Sequence, residues 1–185
     1  MRYFIGFLVT VGLLIILIIL LFHSGSKTNV PTTSVTLVSY ANTNSQVRLT
    51  IDGPINADQI HQQIQITVNK DTVTYDQIQG YNNTVENQQQ FDNNENAYDT
   101  FLHALQLAGF TEGDTGSALK DERGHCALGK RYIYELIQNG NDLERFWSTS
   151  CGNIVKTYNG LESLTISLFE AQVPDYKALS KSTNL

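Results

Sequence analysis

Charge is scarce in this chain, and positive charge is the scarcer sign. Only 16% of the 185 residues are charged, whereas a typical soluble domain has about 25%. There are 12 Lys and Arg against 18 Asp and Glu, which gives a net charge of −6. Nucleic-acid binding needs clustered cations to neutralise phosphates, and the longest basic run is Lys130-Arg131. The composition therefore argues against a nucleic-acid partner.

Metal-binding motifs and internal repeats are also missing. The sequence has no His-x-x-x-His or Cys-x-x-Cys pair, so it offers no local scaffold for zinc. No period holds along the chain, which excludes collagen, heptad and solenoid arrays. Amide side chains take the place of charge, with 16 Asn and 13 Gln. We predict no metal site and no cofactor.

One long apolar run begins the chain. Residues 3–22 contain eleven Leu or Ile and no ionisable group other than the Tyr3 phenol. About 20 apolar residues in a helix span the hydrocarbon core of a bilayer. A cleaved signal peptide would have a shorter apolar core, although Ser24-Gly25-Ser26 keeps cleavage open as an alternative. We predict a single-pass signal anchor over residues 1–23, in contact with the lipid bilayer through residues 3–22.

The charges that flank this run favour a cytoplasmic N-terminus. Arg2 and the terminal amine lie on one side, and Lys27 lies on the other, so the bias is small. The remainder is poor in Lys, rich in amides and has two cysteines, which fits the outside of a cell. We predict a polar linker over residues 24–33 and one extracytoplasmic domain over residues 34–185, held at the cell membrane.

Hydrophobic periodicity predicts four strands, a helix, two strands and a helix in this domain. The apolar positions from Tyr98 to Ala108 have helical spacing, and Asn139-Gly140 is a strong hairpin signal. Residues 80–94 hold few apolar side chains, and we predict an exposed excursion there. The predicted strands cover residues 34–40, 46–52, 64–68, 72–78, 130–138 and 143–148, and the helices begin at Glu95 and Leu161.

These elements predict the α+β fold class. Strands that alternate apolar and polar residues have one packed face and one wet face, as in an antiparallel sheet. The full prediction is an N-terminal transmembrane helix followed by one small domain with a mainly antiparallel sheet and two packing helices.

The two cysteines lie outside the arms of the predicted hairpin. The midpoint between Cys126 and Cys151 falls within one residue of the Asn139-Gly140 turn. We predict a disulfide between them, because an oxidising compartment makes pairing the default. Two reduced core cysteines are the alternative if the domain faces the cytoplasm, and both interpretations are structural.

Four aromatic residues gather on the same hairpin, namely Tyr132, Tyr134, Phe146 and Trp147. Tyr and Trp are enriched at binding interfaces because they combine apolar area with hydrogen bonding. The set is therefore a candidate interaction surface. The competing interpretation, that these rings form the packed face of the sheet, is the one that we favour.

Catalytic motifs are weak. Asp114-Thr-Gly-Ser117 matches the short aspartic-protease signature, but Thr111-Glu-Gly113 precedes it where that family has an apolar strand. The four histidines stand apart, and His125 lies beside Cys126, whose predicted partner is Cys151. We assign no catalytic residue.

Four stretches resemble single-pass membrane-anchored proteins of candidate-phyla (Saccharibacteria-like) bacteria. They are Tyr98–Leu105, Lys130–Tyr134, Trp147–Cys151 and Phe169–Tyr176. The resemblance covers most of residues 33–176. It implies no known activity, and no functional residue is carried over from it.

The sequence thus predicts a membrane-anchored extracytoplasmic domain that binds a protein or an envelope component. One alternative is a pilin-like or secretion-machine subunit. Another is an envelope hydrolase that uses the acidic residues of the 112–122 loop.

Overall fold

A computed structural model describes residues 36–116, 121–152, 155–183 and 185. All of them belong to a compact unit, Val35–Leu185. The predicted membrane segment, residues 3–22, lies outside the described residues. Among the described residues, no helix is long and apolar enough to cross a membrane.

The described residues of this unit form six strands and three helices. The strands are β1 (Ser45–Asp52), β2 (Gln62–Asn69), β3 (Thr72–Gln79), β4 (Thr84–Asp92), β5 (Arg131–Gln138) and β6 (Asn141–Thr149). The helices are α1 (Glu95–Leu107), α2 (Glu162–Glu170) and α3 (Tyr176–Leu179). Short 3₁₀ helices cover Leu37–Tyr40 and Ser180–Ser182.

The six strands form one sheet in the order β4-β3-β2-β1-β5-β6. Every neighbouring pair is antiparallel. Strand β1 lies near the centre because it pairs with β2, which follows it closely, and with β5, where Asp52 lies opposite Arg131. Residues far apart in the chain are thereby brought side by side.

The apolar core lies on one face of the sheet, under the helices. Successive strand residues point to opposite faces, and Val47, Leu49 and Ile51 of β1 point into the core. Helix α1 packs its buried side chains into the same cluster, and Phe101 of α1 meets Phe169 of α2 edge to face with ring centroids 5.2 Å apart. The domain therefore has two layers, with helices on one face of the sheet.

Helix α1 has a defined start and end. The Asn94 side chain accepts a hydrogen bond from the backbone N–H of Ala97 at 3.0 Å, which satisfies one of the unpaired donors of the first turn. Gly109 follows the helix with a φ of +76°, a conformation that glycine adopts without steric cost.

The predicted fold class was wrong in its composition of elements. It named a transmembrane helix and two packing helices, whereas the described residues form a wholly antiparallel six-stranded sheet with three helices. The prediction missed α3, a single turn of four residues that follows Pro174. So short a helix has no amphipathic period that a sequence pattern could reveal.

Two errors in the predicted strands cancelled each other in the strand count. Residues 37–40, predicted as strand, form a 3₁₀ turn, in which the Ser39 amide donates to the Thr36 carbonyl at 2.8 Å and the Ala41 amide donates to the Val38 carbonyl at 3.0 Å. Residues 84–92, predicted as an excursion, form the edge strand β4. Most β4 side chains are exposed, so the strand carries no apolar alternation, and its backbone pairing with β3 defines it.

Candidate functional site

The two cysteines form a disulfide at the open end of the β5–β6 hairpin. The Cα atoms of Cys126 and Cys151 are 5.6 Å apart. Beside them, the Ser150 amide donates to the Lys130 carbonyl at 3.0 Å, and the Lys130 amide donates to the Ser150 hydroxyl at 2.8 Å. A Cβ on Gly129 would lie 2.6 Å from the Cys126 Sγ, so this position requires glycine. The disulfide ties the loop before β5 to the end of β6.

The structure places the predicted aromatic surface in the interior. Tyr134, Phe146 and Trp147 are 1%, 3% and 0% exposed, and Tyr132 is partly buried against the core. This burial agrees with the packing interpretation favoured from the sequence, because alternate residues of β5 and β6 fill the two faces of the sheet. A functional surface has to be sought elsewhere.

The face of the sheet that points away from the helices carries paired charges. On this open face Arg48 of β1 lies opposite Glu135 of β5, and Glu135 lies opposite Arg145 of β6. The guanidinium groups approach the Glu135 carboxylate to 3.6 Å and 3.4 Å. At the far end of β1, Asp52 lies opposite Arg131. Opposite charges thus face each other across three strands.

These charges line a cavity of about 600 Å³ on the open face. Four of the five arginines of the chain line it, namely Arg48, Arg123, Arg131 and Arg145. We call it the arginine cavity. A chain with a net charge of −6 has thus gathered its guanidinium groups in one place, and guanidinium is the side chain best suited to bind carboxylate or phosphate.

A buried charge cluster forms one end of the arginine cavity. Nε and Nη2 of Arg131 lie 2.7 Å and 2.6 Å from Oδ2 of Asp52, and Nη2 also donates to the Gly53 carbonyl. His61 is fully buried beside them, with Nδ1 3.0 Å from the Pro54 carbonyl and Nε2 2.9 Å from Oδ1 of Asp52. The side-chain nitrogen Nε2 of Gln63 also lies 3.2 Å from Nε2 of His61. Asp52 thus contacts both Arg131 and His61.

Tyr81 stands at the rim of the arginine cavity as a rigid aromatic wall. Its ring stacks on the His61 ring with centroids 4.0 Å apart and an interplanar angle of 12°. Its hydroxyl donates to the Asn56 carbonyl at 2.9 Å. Tyr81 nevertheless remains 47% exposed, so it is held from one side and from its tip while it faces the cavity.

The loop before β5 supplies another wall. Glu122 pairs with Arg145 at 2.7 Å, and the Ile55 amide donates to the Ala127 carbonyl at 2.8 Å. Arg123 is exposed and makes a bidentate pair with Asp121. Together with the disulfide, these contacts fix the loop against the open face.

Two carboxylic acids that line the cavity have a raised pKa. Burial raises the pKa of Asp52, against the opposing charge of Arg131. Burial likewise raises the pKa of Glu135, against the charges of Arg48 and Arg145. In both cases the loss of water outweighs the attraction of the guanidinium groups, as is common for buried ion pairs.

The acidic residues predicted for a hydrolase lie in different places. Asp114 lines a second cavity of about 310 Å³ together with Asp142 and Glu144, whereas Glu122 lines the arginine cavity. The Asp114 carboxylate accepts from the Gly116 amide at 2.8 Å, which is a turn contact. The loop does not bring Asp114 and Glu122 into one cavity.

The histidines are also dispersed among the described residues. His103 is exposed on α1, and His125 stacks on Trp147 with ring centroids 4.9 Å apart. His61 lies beside the arginine cavity, and the sequence pattern had assigned it no function. No group of three or more metal-ligating side chains occurs within the described ranges.

The residues of the arginine cavity were missed from the sequence. A signal did exist, because Arg48, Thr50 and Asp52 alternate with the apolar residues of β1 and so must share the face away from the core. The pairing of β1 with β5, which places Arg131 beside Asp52, had no local signal.

No protein-family model matches the chain, and no curated protein matches it.

Proposed function

We propose that this protein is an extracytoplasmic binding module of the cell envelope that takes an anionic ligand in the arginine cavity. The observation that carries the proposal is the placement of four of the five arginines on one cavity of an otherwise acidic chain. The cavity volume of about 600 Å³ lies in the range of small-molecule sites, about 300–1,000 Å³.

Two guanidinium groups in the cavity have unused donors. Nη1 of Arg131 and Nε of Arg48 are buried and have no hydrogen-bonding partner among the described residues. A buried donor without a partner costs about 1–3 kcal/mol. An anion that accepts from these groups would recover that free energy, which supports ligand binding here.

The disulfide supports the extracytoplasmic location. Structural disulfides persist in oxidising compartments and are rare in the cytosol. Contact with the lipid bilayer through residues 3–22, and a cytoplasmic N-terminus, remain predictions from the sequence. So do the resemblance to membrane-anchored proteins of candidate-phyla bacteria and the two alternatives, a pilin-like subunit and an envelope hydrolase.

A thermal-unfolding screen of the full chain in mild detergent tests the binding proposal. Small anions, cations and neutral sugars are each added at increasing concentration. A ligand at 100 times its Kd stabilises by about 2.7 kcal/mol, which corresponds to a Tm shift of about 5–10 °C at this chain length. We expect shifts with anions alone, and their loss in Arg48→Gln. A Tm that responds to no anion would contradict the proposal.

A labelling experiment on intact cells tests the location. The cells are treated with a membrane-impermeant reductant and then with a membrane-impermeant maleimide. We expect Cys126 and Cys151 to become labelled only after reduction. Labelling that appears only after lysis would place the domain inside.

A further inference from the structure

We infer that the ligand of the arginine cavity is an acidic sugar, with a carboxylate on the guanidinium groups and a sugar ring against Tyr81. This inference rests on the proposed function and specifies its ligand class. Three features of the cavity carry it: its charge balance, its rigid aromatic wall, and the neutral polar side chains between them.

The charge balance fits a ligand with a single negative charge. The lining residues include four arginines and three carboxylates, Asp52, Glu122 and Glu135, so their sum is +1. Asp121, which pairs with Arg123, is not one of the lining residues. A monoanion neutralises the charge of the lining residues, whereas a phosphate monoester, with nearly two charges, would leave it negative.

The donors are arranged for planar acceptors. Arg131 is only 2% exposed, and Asp52 and Gly53 hold its guanidinium group from one side. Its free Nη1 is therefore fixed before any ligand arrives. A fixed guanidinium loses little entropy on binding and suits the flat carboxylate group.

The aromatic wall fits a sugar ring. One face of the Tyr81 ring is covered by His61, and the side chain keeps 47% of its surface exposed. An aromatic face of this kind offers flat apolar area to the C–H groups of a pyranose, and its rigidity removes the entropy of ordering a side chain.

The remaining lining suits hydroxyl groups. Gln63, Gln65, Thr50 and Asn83 line the cavity between the arginines and Tyr81. Amide and hydroxyl side chains both donate and accept hydrogen bonds, which a polyhydroxylated ligand needs. Only Ile55 and Ile133 among the lining residues are aliphatic, so the cavity has little to offer the side chains of an apolar peptide.

A panel of related probes tests the inference by isothermal titration of the full chain in detergent. The probes are galacturonate, its methyl ester, neutral galactose, dimethyl phosphate and a tripeptide with a free carboxyl end. We expect galacturonate to bind at least about tenfold more tightly than its ester, because a hydrogen bond to a charged group contributes about 1.5–3 kcal/mol.

Three variants locate the site. Tyr81→Leu should weaken galacturonate binding about fivefold or more by removing the aromatic face, and Arg48→Gln should weaken it about tenfold. Lys177→Gln is the matched control for charge, because it removes one exposed cation of α3 outside the cavity. It should leave the affinity unchanged.

The outcomes separate the two proposals. Tighter binding of dimethyl phosphate or of the peptide overturns the sugar and leaves the anion-binding function standing. Equal binding of the ester and the acid, or an unchanged affinity in Tyr81→Leu, overturns the acidic sugar in the same way. Binding of none of the anions overturns the proposed function together with the inference.

Discussion

The two faces of the sheet are built from the same strands and serve different ends. On β1, Val47, Leu49 and Ile51 are buried against the helices, while Arg48 and Asp52 between them line the arginine cavity. The helix face is apolar and closed. The open face holds carboxylates whose pKa burial raises, namely Asp52 and Glu135. The comparison suggests that one face was shaped for stability and the other for a ligand.

The largest effect is expected from Asp52→Asn on the open face. The substitution removes the counter-charge of Arg131, and breaking a buried ion pair costs about 3–5 kcal/mol. Urea unfolding of the variant measures the loss, and Asp71→Asn at an exposed turn is the control. A loss below about 1 kcal/mol would mean that the cluster is solvated, and the open face would then be an ordinary wet face.

Loss of the disulfide should follow in size. The bond closes a loop with a sequence separation of 25, for which the chain-entropy model gives about 3.5 kcal/mol. The double variant Cys126→Ser, Cys151→Ser should unfold at correspondingly lower urea, and it should also bind anions more weakly because the loop that carries Arg123 is released. An unchanged anion affinity would show that the loop keeps its position without the disulfide.

Adjacent residues of β1 give the most direct test of the comparison. Leu49→Ala creates a cavity in the core, where such changes cost about 2–5 kcal/mol. Arg48→Gln removes a partly exposed charge, and its partner Glu135 still pairs with Arg145. We therefore expect this variant to lose at most about 1 kcal/mol in the free energy of unfolding. For anion affinity we expect the opposite order, with the larger loss in Arg48→Gln. If the two variants lost stability and anion affinity to the same extent, the two faces of the sheet would not have separate roles.

The smallest expected effect is a loss of stability at alkaline pH, caused by Tyr98 in the core between the sheet and the helices. Burial raises the pKa of Tyr98 to about 12 from its usual value of 10.0, against its hydrogen bond with Ser45. The folded state holds the phenol proton more tightly than the unfolded state does. The protonated Tyr98 therefore contributes to the stability of the fold below pH 10, and this contribution is lost as the pH rises towards 12. At 1.36 kcal/mol per pKa unit the loss is about 2–3 kcal/mol.

Tyr98→Phe isolates that contribution. Between pH 10 and 12 the variant should lose about 2–3 kcal/mol less stability than the parent chain, measured by urea unfolding at each pH. The lost Ser45 contact lowers stability equally at every pH and does not change the slope. Parallel curves for the two chains would show that Tyr98 titrates as it does in water.

The sequence predicted elements whose signals are local. The spacing from Tyr98 to Ala108 predicted a helix, and it lies at Glu95–Leu107. The Asn139-Gly140 pair predicted a hairpin, and both residues have positive φ in the turn between β5 and β6. Each of these patterns depends on residues within one or two turns of each other.

The elements that were missed depend on partners elsewhere in the chain. Strand β4 is defined by pairing with β3 and not by its own amide-rich sequence. The arginine cavity needs the register that sets Asp52 opposite Arg131, 79 positions away. Period-two alternation places each of these residues on a face, but it does not say which strands are neighbours.

The seam between β1 and β5 has a consequence for folding kinetics. It joins two stretches of local hairpins, residues 45–92 and 131–149, through contacts distant in sequence, and such contacts close late because of their loop entropy. Arg48 and Asp52 come from the first stretch, and Arg131 and Arg145 from the second. The arginine cavity therefore exists only after the two stretches have docked, so we expect the capture of an anion during refolding to report the final docking step.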